Sequence, residues 1–337
     1  MDDMDLEDIA KALVAPSKGI LAADESTGTI KKRLETINTP STEETRRDYR
    51  ELLLSSEGAG DYISGVILYD ETIRQQAKNG TPLTELIKSQ GIIPGIKVDT
   101  GAKPLAFSEG ELVTEGLDGL RDRLNEYHRL GARFAKWRAV ISIGDGAPSQ
   151  YCIDTNAHAL ARYAALCQEA NIVPIVEPEV LMDGDHNIDE CYAVTETTLK
   201  TVFDELYKQR VVLEQMLLKP NMVVSGKDCP EQAGIDEVAT KTLYCFEQTV
   251  PAAVPGIVFL SGSQSEQQAT EHLNAMNQMG SYPWEISYSF GRALQASALS
   301  TWQGKPENIE AAQKAFLHRA KLTSAARDGG YSADMEE

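Results

Sequence analysis

ARFAKWRAV (132–140), TNAHALARYAALCQEAN (155–171) and IVPIVEPEV (172–180) follow one another in the chain, and this stretch decides the fold. The two outer runs are apolar, short enough for strands and rich in β-branched residues. The middle segment reads as a helix, with Thr155 placed to serve as its N-cap. Strand, crossover helix and strand in that order make a parallel pairing, because parallel neighbours need a long connection.

The same alternation extends in both directions. GILAAD (19–24), SGVILYD (64–70) and IIPGIKVD (92–99) precede it, and LLKPNMV (217–223), IVFLSG (257–262) and EISYSF (285–290) follow. Between the runs lie helical stripes: Leu117, Leu120, Leu124, Tyr127 and Leu130 recur at steps of three or four. Tyr192, Leu199, Val202, Phe203 and Leu206 form another. Residues 42–56 read as the first crossover helix, and a terminal helical pattern begins beyond residue 305. Eight strands alternating with helices predict a (β/α)8 TIM barrel rather than an open doubly wound sheet. No Pro/Gly/Ser-rich linker divides the chain, so residues 1–337 are expected to form a single domain with a short C-terminal tail, about 325–337.

Composition narrows the function. Of 337 residues 42% are hydrophobic, ample for a packed core, and the net charge is −19. So acidic a chain is a poor binder of nucleic acid or anionic membranes, whose capture rests on massed cations. An anionic ligand would need positive charge gathered locally. No apolar run approaches the ~18 residues of a membrane span. The N-terminus, MDDMDLEDIA, is acidic where a targeting peptide would be basic or acidic-poor. Five cysteines with no C-x-x-C fit reduced thiols in the cytoplasm. The histidines are scattered, with no H-x-x-x-H pair, so neither a metal nor another cofactor is expected.

In such barrels the chemistry sits at the C-terminal ends of the strands. Here those ends carry Asp24, Lys97 with Asp99, Lys136 with Arg138, Glu177 with Glu179, Lys219, Ser261 with Gly262, and Gly291 with Arg292. Side chains alternate along a strand, so Lys136 and Arg138 share a face, as do Glu177 and Glu179. One charge at a strand end is usually a place where the chain meets water. So many at one rim are harder to dismiss, since buried charge persists only when paired or used. Lys219 lies among Leu217, Leu218, Pro220 and Met222. There it is either an amine of lowered pKa, hence a nucleophile, or a lysine whose stem packs while its head reaches water. FLSGSQS (259–265) and YSFGRAL (288–294) each place glycine before a helical pattern, where backbone N–H groups bind phosphate.

These stretches together resemble the class I fructose-1,6-bisphosphate aldolases. KGILAADESTGTIKKRL (18–34), GIKVDTGAKPL (95–105), FAKWRAV (134–140), IVPIVEPEVL (172–181), LLKPNMV (217–223), FLSG (259–262) and YSFGRALQ (288–295) carry the likeness in order along the whole chain. The resemblance implies metal-free cleavage of fructose 1,6-bisphosphate to dihydroxyacetone phosphate and glyceraldehyde 3-phosphate by a cytoplasmic homotetramer. It makes Lys219 the Schiff-base lysine and Glu177 its acid/base partner, with Glu179, Lys136 and Asp24 around them. It assigns Ser261, Gly262, Ser289, Gly291 and Arg292 to one phosphate. Arg33, Lys97 and Arg138, with Ser26 and Thr29, fall toward the other. Either Asp24 or Glu177 could take the carbon-4 hydroxyl proton. Two departures stand out. Family members from animals end in a tyrosine, whereas this chain ends YSADMEE and Tyr331 is not terminal. Ser263 occupies a position where the family often has glycine, which would be strained if the backbone there were left-handed. The rival readings are another Schiff-base aldolase or transaldolase, and a non-catalytic barrel serving as a scaffold.

Overall fold

The computed structural model describes residues 4–337. In chain order the elements are α1 (Leu6–Leu13), β1 (Gly19–Ala23), α2 (Thr27–Glu35), α3 (Glu43–Leu54), β2 (Ile63–Leu68), α4 (Asp70–Ile73), α5 (Leu83–Ser89), β3 (Ile93–Lys97), β4 (Gly101–Pro104), β5 (Leu112–Glu115) and α6 (Leu120–Arg129). There follow β6 (Phe134–Ile141), α7 (Gln150–Glu169), β7 (Val173–Val180), α8 (Ile188–Lys208), β8 (Leu217–Leu218), α9 (Ile235–Thr249), β9 (Gly256–Phe259), α10 (Glu266–Gln278), β10 (Glu285–Phe290), α11 (Arg292–Trp302) and α12 (Ile309–Arg327). Eight of the strands close a parallel barrel in the order β1-β10-β9-β8-β7-β6-β3-β2, the (β/α)8 architecture. β4 and β5 form a separate antiparallel hairpin outside it.

Strand alternation sorts the side chains into two cores. Ala135, Trp137 and Ala139 of β6 turn outward and pack with the helices. Phe134 turns inward and meets Ile20, Ile67, Ile93, Val173, Ile175, Leu217 and Val258 inside the barrel. α1, with Ile9, Ala10 and Leu13, closes the N-terminal end of this apolar plug. Gly95 makes room for the Phe134 ring, since a Cβ there would stand 2.3 Å from it. Further along β6 and β7 the inward residues are charged, Lys136 with Arg138 and Glu177 with Glu179, so the ionic layer of the mouth rests on this apolar floor.

Local boundaries differ from the sequence reading where backbone chemistry intervenes. α7 begins earlier than expected: Ser149, not Thr155, caps it, with Ser149 Oγ accepting from Cys152 N at 3.1 Å. Thr155 lies inside the helix and donates to the Tyr151 carbonyl at 2.8 Å. The run 217–223 contributes only Leu217 and Leu218 as strand; Lys219 still donates to Val176 O at 2.8 Å, but Pro220 has no N–H to continue the ladder. The crossover from β1 to β2 holds two helices, α2 and α3, rather than the one expected.

The tail is fastened. Tyr331 is buried, donating its hydroxyl to Glu336 Oε1 at 2.7 Å and its N–H to Asn274 Oδ1 at 3.0 Å. Arg319 of α12 grips both oxygens of Glu336 at 2.8 Å. Tyr331→Ala is expected to cost about 3 kcal/mol of stability, the scale of an emptied aromatic site. The midpoint of urea unfolding reads that loss, with kcat unchanged. A fall in kcat with the midpoint kept would instead place Tyr331 in the chemistry.

Candidate active site

A cavity of about 570 Å³ opens at the C-terminal end of the barrel. Every residue singled out from the sequence as catalytic or phosphate-binding lines it. At its floor, four charged groups form a chain. Lys136 Nζ lies 2.7 Å from Asp24 Oδ2 and 3.1 Å from Glu177 Oε2. Lys219 Nζ lies 3.2 Å from Glu177 Oε1. All four are buried, Lys219 to 3% of its free exposure.

β6 and β7 set this spacing. Their register places Arg138 opposite Glu177 and Val140 opposite Glu179, so the inward side chains of the two strands interleave. Lys97 of β3 stands opposite Lys136 and is held by the Asp99 carboxylate and by the Asp99 carbonyl at 2.8 Å. Arg138 is paired with Glu179 at the upper edge of the mouth.

Burial and charge divide the two central lysines. Burial lowers the pKa of Lys219, and the neighbouring Lys136 ammonium lowers it further, against opposition from Glu177 and Asp24. At Lys136 burial also disfavours the charge, but Asp24, Glu177 and Asp99 overcome it and hold the ammonium well above the usual lysine range. Burial likewise opposes ionisation of Asp24 and Glu177, and the lysines reverse it, so both carboxyls fall below their usual range. The site thus holds one fixed cation, two ionised carboxylates and one amine eased toward its neutral form.

Two groups of polar and cationic residues flank this chain. On one side the turn after β9 brings Ser261 and Gly262 to the wall, and Gly291 with Arg292 opens α11. Gly262 is in the left-handed region (φ 57°), and a Cβ there would stand 2.5 Å from Met182. Gln264 closes the turn, its N–H reaching the Ser261 carbonyl at 3.2 Å and its side chain at 3.1 Å. Ser263 is outside the left-handed region, so serine is accommodated without strain. Arg292 donates to the Gly262 carbonyl, tying the two loops together. Ser289 is buried with no hydrogen-bond partner for its hydroxyl among the described residues. On the other side, Ser26 caps α2, its Oγ 3.1 Å from Thr29 Oγ1, and Lys97 and Arg138 complete the rim.

Arg33 falls elsewhere than expected. One turn beyond Thr29, it extends until its Nη2 is 3.9 Å from where a Cβ on Gly291 would stand. It therefore joins the Gly291–Arg292 side. It is paired with Glu25, a buried carboxylate that the sequence reading passed over, and Glu25 is also 2.6 Å from the buried Arg50 of α3. Nothing in the local sequence separates Arg50 from its exposed-looking neighbours Arg46 and Arg47. Among the described residues no three His, Cys, Asp or Glu side chains gather as metal ligands would.

A buried amine beside ionised carboxylates, at the mouth of a parallel barrel and between two sets of cationic and hydroxyl groups, is the arrangement of a barrel enzyme able to bond an anionic carbonyl compound through lysine. A family model described as class-I fructose-bisphosphate aldolase matches residues 5–337. A probable class 1 fructose-bisphosphate aldolase of Xanthomonas campestris is 59% identical over 325 residues, spanning 96% of this chain and 97% of that one. The cytosolic fructose-bisphosphate aldolase 6 of Arabidopsis thaliana is 55% identical over 322 residues, covering 95% and 90%. A co-crystal structure of Plasmodium falciparum fructose-bisphosphate aldolase with TRAP and a small-molecule inhibitor superposes with a TM-score of 0.96 at 48% identity, covering 97% of this chain and 95% of that one. The chain belongs to the class-I fructose-bisphosphate aldolase family.

Proposed function

We propose that this chain cleaves fructose 1,6-bisphosphate reversibly between carbons 3 and 4, with Lys219 as the residue that bonds to the sugar. The observation that carries this reading is the position of Lys219 Nζ, buried and 3.2 Å from Glu177, between two separate groups of anion donors. Glu177 accepts the proton of Lys219, and the neutral amine adds to the carbon-2 ketone. Glu177 then returns a proton to the carbinolamine hydroxyl, which leaves as water and gives the iminium. A carboxylate beside Lys219, Asp24 or Glu177, takes the proton of the carbon-4 hydroxyl. The carbon-4 oxygen becomes the aldehyde of glyceraldehyde 3-phosphate, and the electrons of the broken bond move into the iminium to form an enamine. Protonation at carbon 3 and hydrolysis release dihydroxyacetone phosphate and regenerate Lys219.

Lys136, fixed as a cation, balances the carboxylates so that neither captures the proton permanently, and its charge disfavours the ammonium form of Lys219. Ser261, Gly262, Ser289, Gly291, Arg292 and Arg33 serve one phosphate, and Ser26, Thr29, Lys97 and Arg138 the other. Glu179 orients Arg138. The same reading makes the chain a glycolytic homotetramer of the cytoplasm. The cytosolic designation of the Arabidopsis relative and five free cysteines, four of them buried, support that location. No described helix is long and apolar enough to cross a membrane.

Two phosphate sites distinguish this function from that of a monophosphate aldolase. Fructose 1,6-bisphosphate is expected to be cleaved with a kcat/KM at least ~10-fold above that for fructose 1-phosphate, the value of one lost charged contact. The rate is expected to be the same in excess chelator. Preference for the monophosphate, or loss of activity with chelator, contradicts the reading.

A further inference from the structure

Behind the Gly291–Arg292 loop lies a charged cluster of which the chemistry above uses only Arg33. Glu25, in the segment following β1, is buried between two arginines from different helices. Arg50 Nη2 of α3 stands 2.6 Å from Glu25 Oε2, and Arg33 Nη1 of α2 donates to Oε1. Gln295 of α11 donates to the same Oε1 at 3.1 Å and to the Ala22 carbonyl at 2.8 Å. Tyr49 donates to Gln295 Oε1 at 3.1 Å, so the amide cannot turn. Arg50 is immobilised by the Tyr49 ring, 5.8 Å from its guanidinium carbon, and Tyr49 stacks on Trp302 at 5.4 Å.

The charges do not cancel. Two guanidiniums face one carboxylate, leaving one positive charge over. The side chains of Glu25 and Arg50 are 4% and 3% exposed, whereas that of Arg33 is 25% exposed and lines the cavity. The surplus charge is therefore presented to the cavity through Arg33, beside Gly291. A free arginine side chain samples many rotamers, and one tethered at a single nitrogen by a rigid carboxylate keeps its other donors aimed. Burial would raise the pKa of Glu25, but Arg50 and Arg33 hold it below the usual carboxylate range, so the tether stays charged.

We propose that Glu25 is a positioning residue of this phosphate site: anchored by Arg50 and Gln295, its carboxylate holds the Arg33 guanidinium over the Gly291–Arg292 loop, where a phosphate meets it already aligned. The role rests on the reading of that loop as a phosphate site and adds the device that shapes it. Glu25 acts through Arg33 and touches no reacting atom.

The test is a mutant cycle of Glu25→Gln and Arg33→Ala, with KM and kcat for fructose 1,6-bisphosphate and the inhibition constant of inorganic phosphate as readouts. Glu25→Gln is expected to raise KM and to weaken phosphate inhibition, each on the order of 10-fold, the worth of one aligned charged hydrogen bond. The kcat is expected to stay within about twofold, because affinity alone is lost when binding is uniform. Added to Arg33→Ala, Glu25→Gln is expected to raise KM no further. Glu25→Asp keeps a charge for buried Arg50 but retracts it from Arg33, so it covers the case in which Glu25→Gln does not fold, and it is expected to raise KM by at least ~3-fold on the same basis. Unchanged phosphate affinity in the folded variants, or full additivity with Arg33→Ala, overturns the proposal. Borohydride labelling of Lys219 in the same samples separates the two readings: label retained with affinity unchanged removes only the role of Glu25, and no label in the unaltered protein removes the catalytic assignment.

Discussion

Lys219→Met is expected to lower kcat for fructose 1,6-bisphosphate cleavage on the order of 10⁶-fold, the scale on which loss of a covalent nucleophile removes turnover. Methionine is chosen because it matches the lysine side chain in length and apolar volume and lacks only the amine, at a position that is buried. The barrel should therefore keep its packing while the amine alone disappears. Substrate affinity is expected to persist, because the donors at Ser261, Gly291 and Arg292 and those at Ser26 and Lys97 do not depend on Lys219. Steady-state cleavage and equilibrium binding of the bisphosphate, measured on the same preparation, check both halves. Turnover within tenfold of the unaltered enzyme would show that another group forms the covalent bond, or that none is needed.

Glu177→Gln is expected to slow cleavage by ~10²–10⁴-fold, the usual worth of a positioned acid/base group. The amide has the same size, so the contacts to Lys136 at 3.1 Å and Lys219 at 3.2 Å keep their geometry while losing the ability to carry a proton. Imine formation and imine hydrolysis should both slow, and rapid-mixing experiments with dihydroxyacetone phosphate separate them from the bond-breaking step. KM is expected to change little. An unaltered rate of imine formation would remove Glu177 from the proton path and leave Asp24 as the carboxylate in its place. The arrangement is the reason for the expected cost: of the two carboxylates Glu177 is the one paired with Lys219, and it also bridges to Lys136.

The floor of this site could be read from the sequence because strand alternation is a two-residue code. Once FAKWRAV and IVPIVEPEV are taken as neighbouring strands, Lys136 shares a face with Arg138 and Glu177 with Glu179, opposite Trp137 and Val176, and the structure turns the charged faces inward. Lys97 and Asp24 were found instead by their place at the C-terminal ends of their strand runs. Where the code does not apply, the reading lost its grip. β8 is two residues long, so Lys219 was located by its run of neighbours and by family resemblance rather than by a ladder. The β4–β5 hairpin went unseen, since its exposed Gly101–Pro104 strand lacks an apolar face to mark it.

Helix-borne contributions were the least visible. Glu25 and Arg50 come together only because α3 packs where it does, and ETRRDYRELLL gives no sign that Arg50 alone is buried among its arginines. Arg33 illustrates a different failure. The family resemblance grouped it with Ser26 and Thr29, but a long guanidinium side chain can reach either wall of a narrow mouth. In the structure it pairs with Glu25 and reaches toward Gly291. Ser149 and Thr155 are both acceptable caps by residue type, and the choice between them was made by Cys152 and Ile153, whose buried side chains extend the apolar face of α7 back to the earlier start.

The assignment of the covalent bond to one nitrogen is most directly measured by reducing the enzyme with borohydride in the presence of dihydroxyacetone phosphate, then locating the added mass by peptide analysis. The expected result is a single modified residue, Lys219, with no modification when that residue is methionine. A label on Lys97 or Lys136, or none at all under conditions of full turnover, would contradict the account.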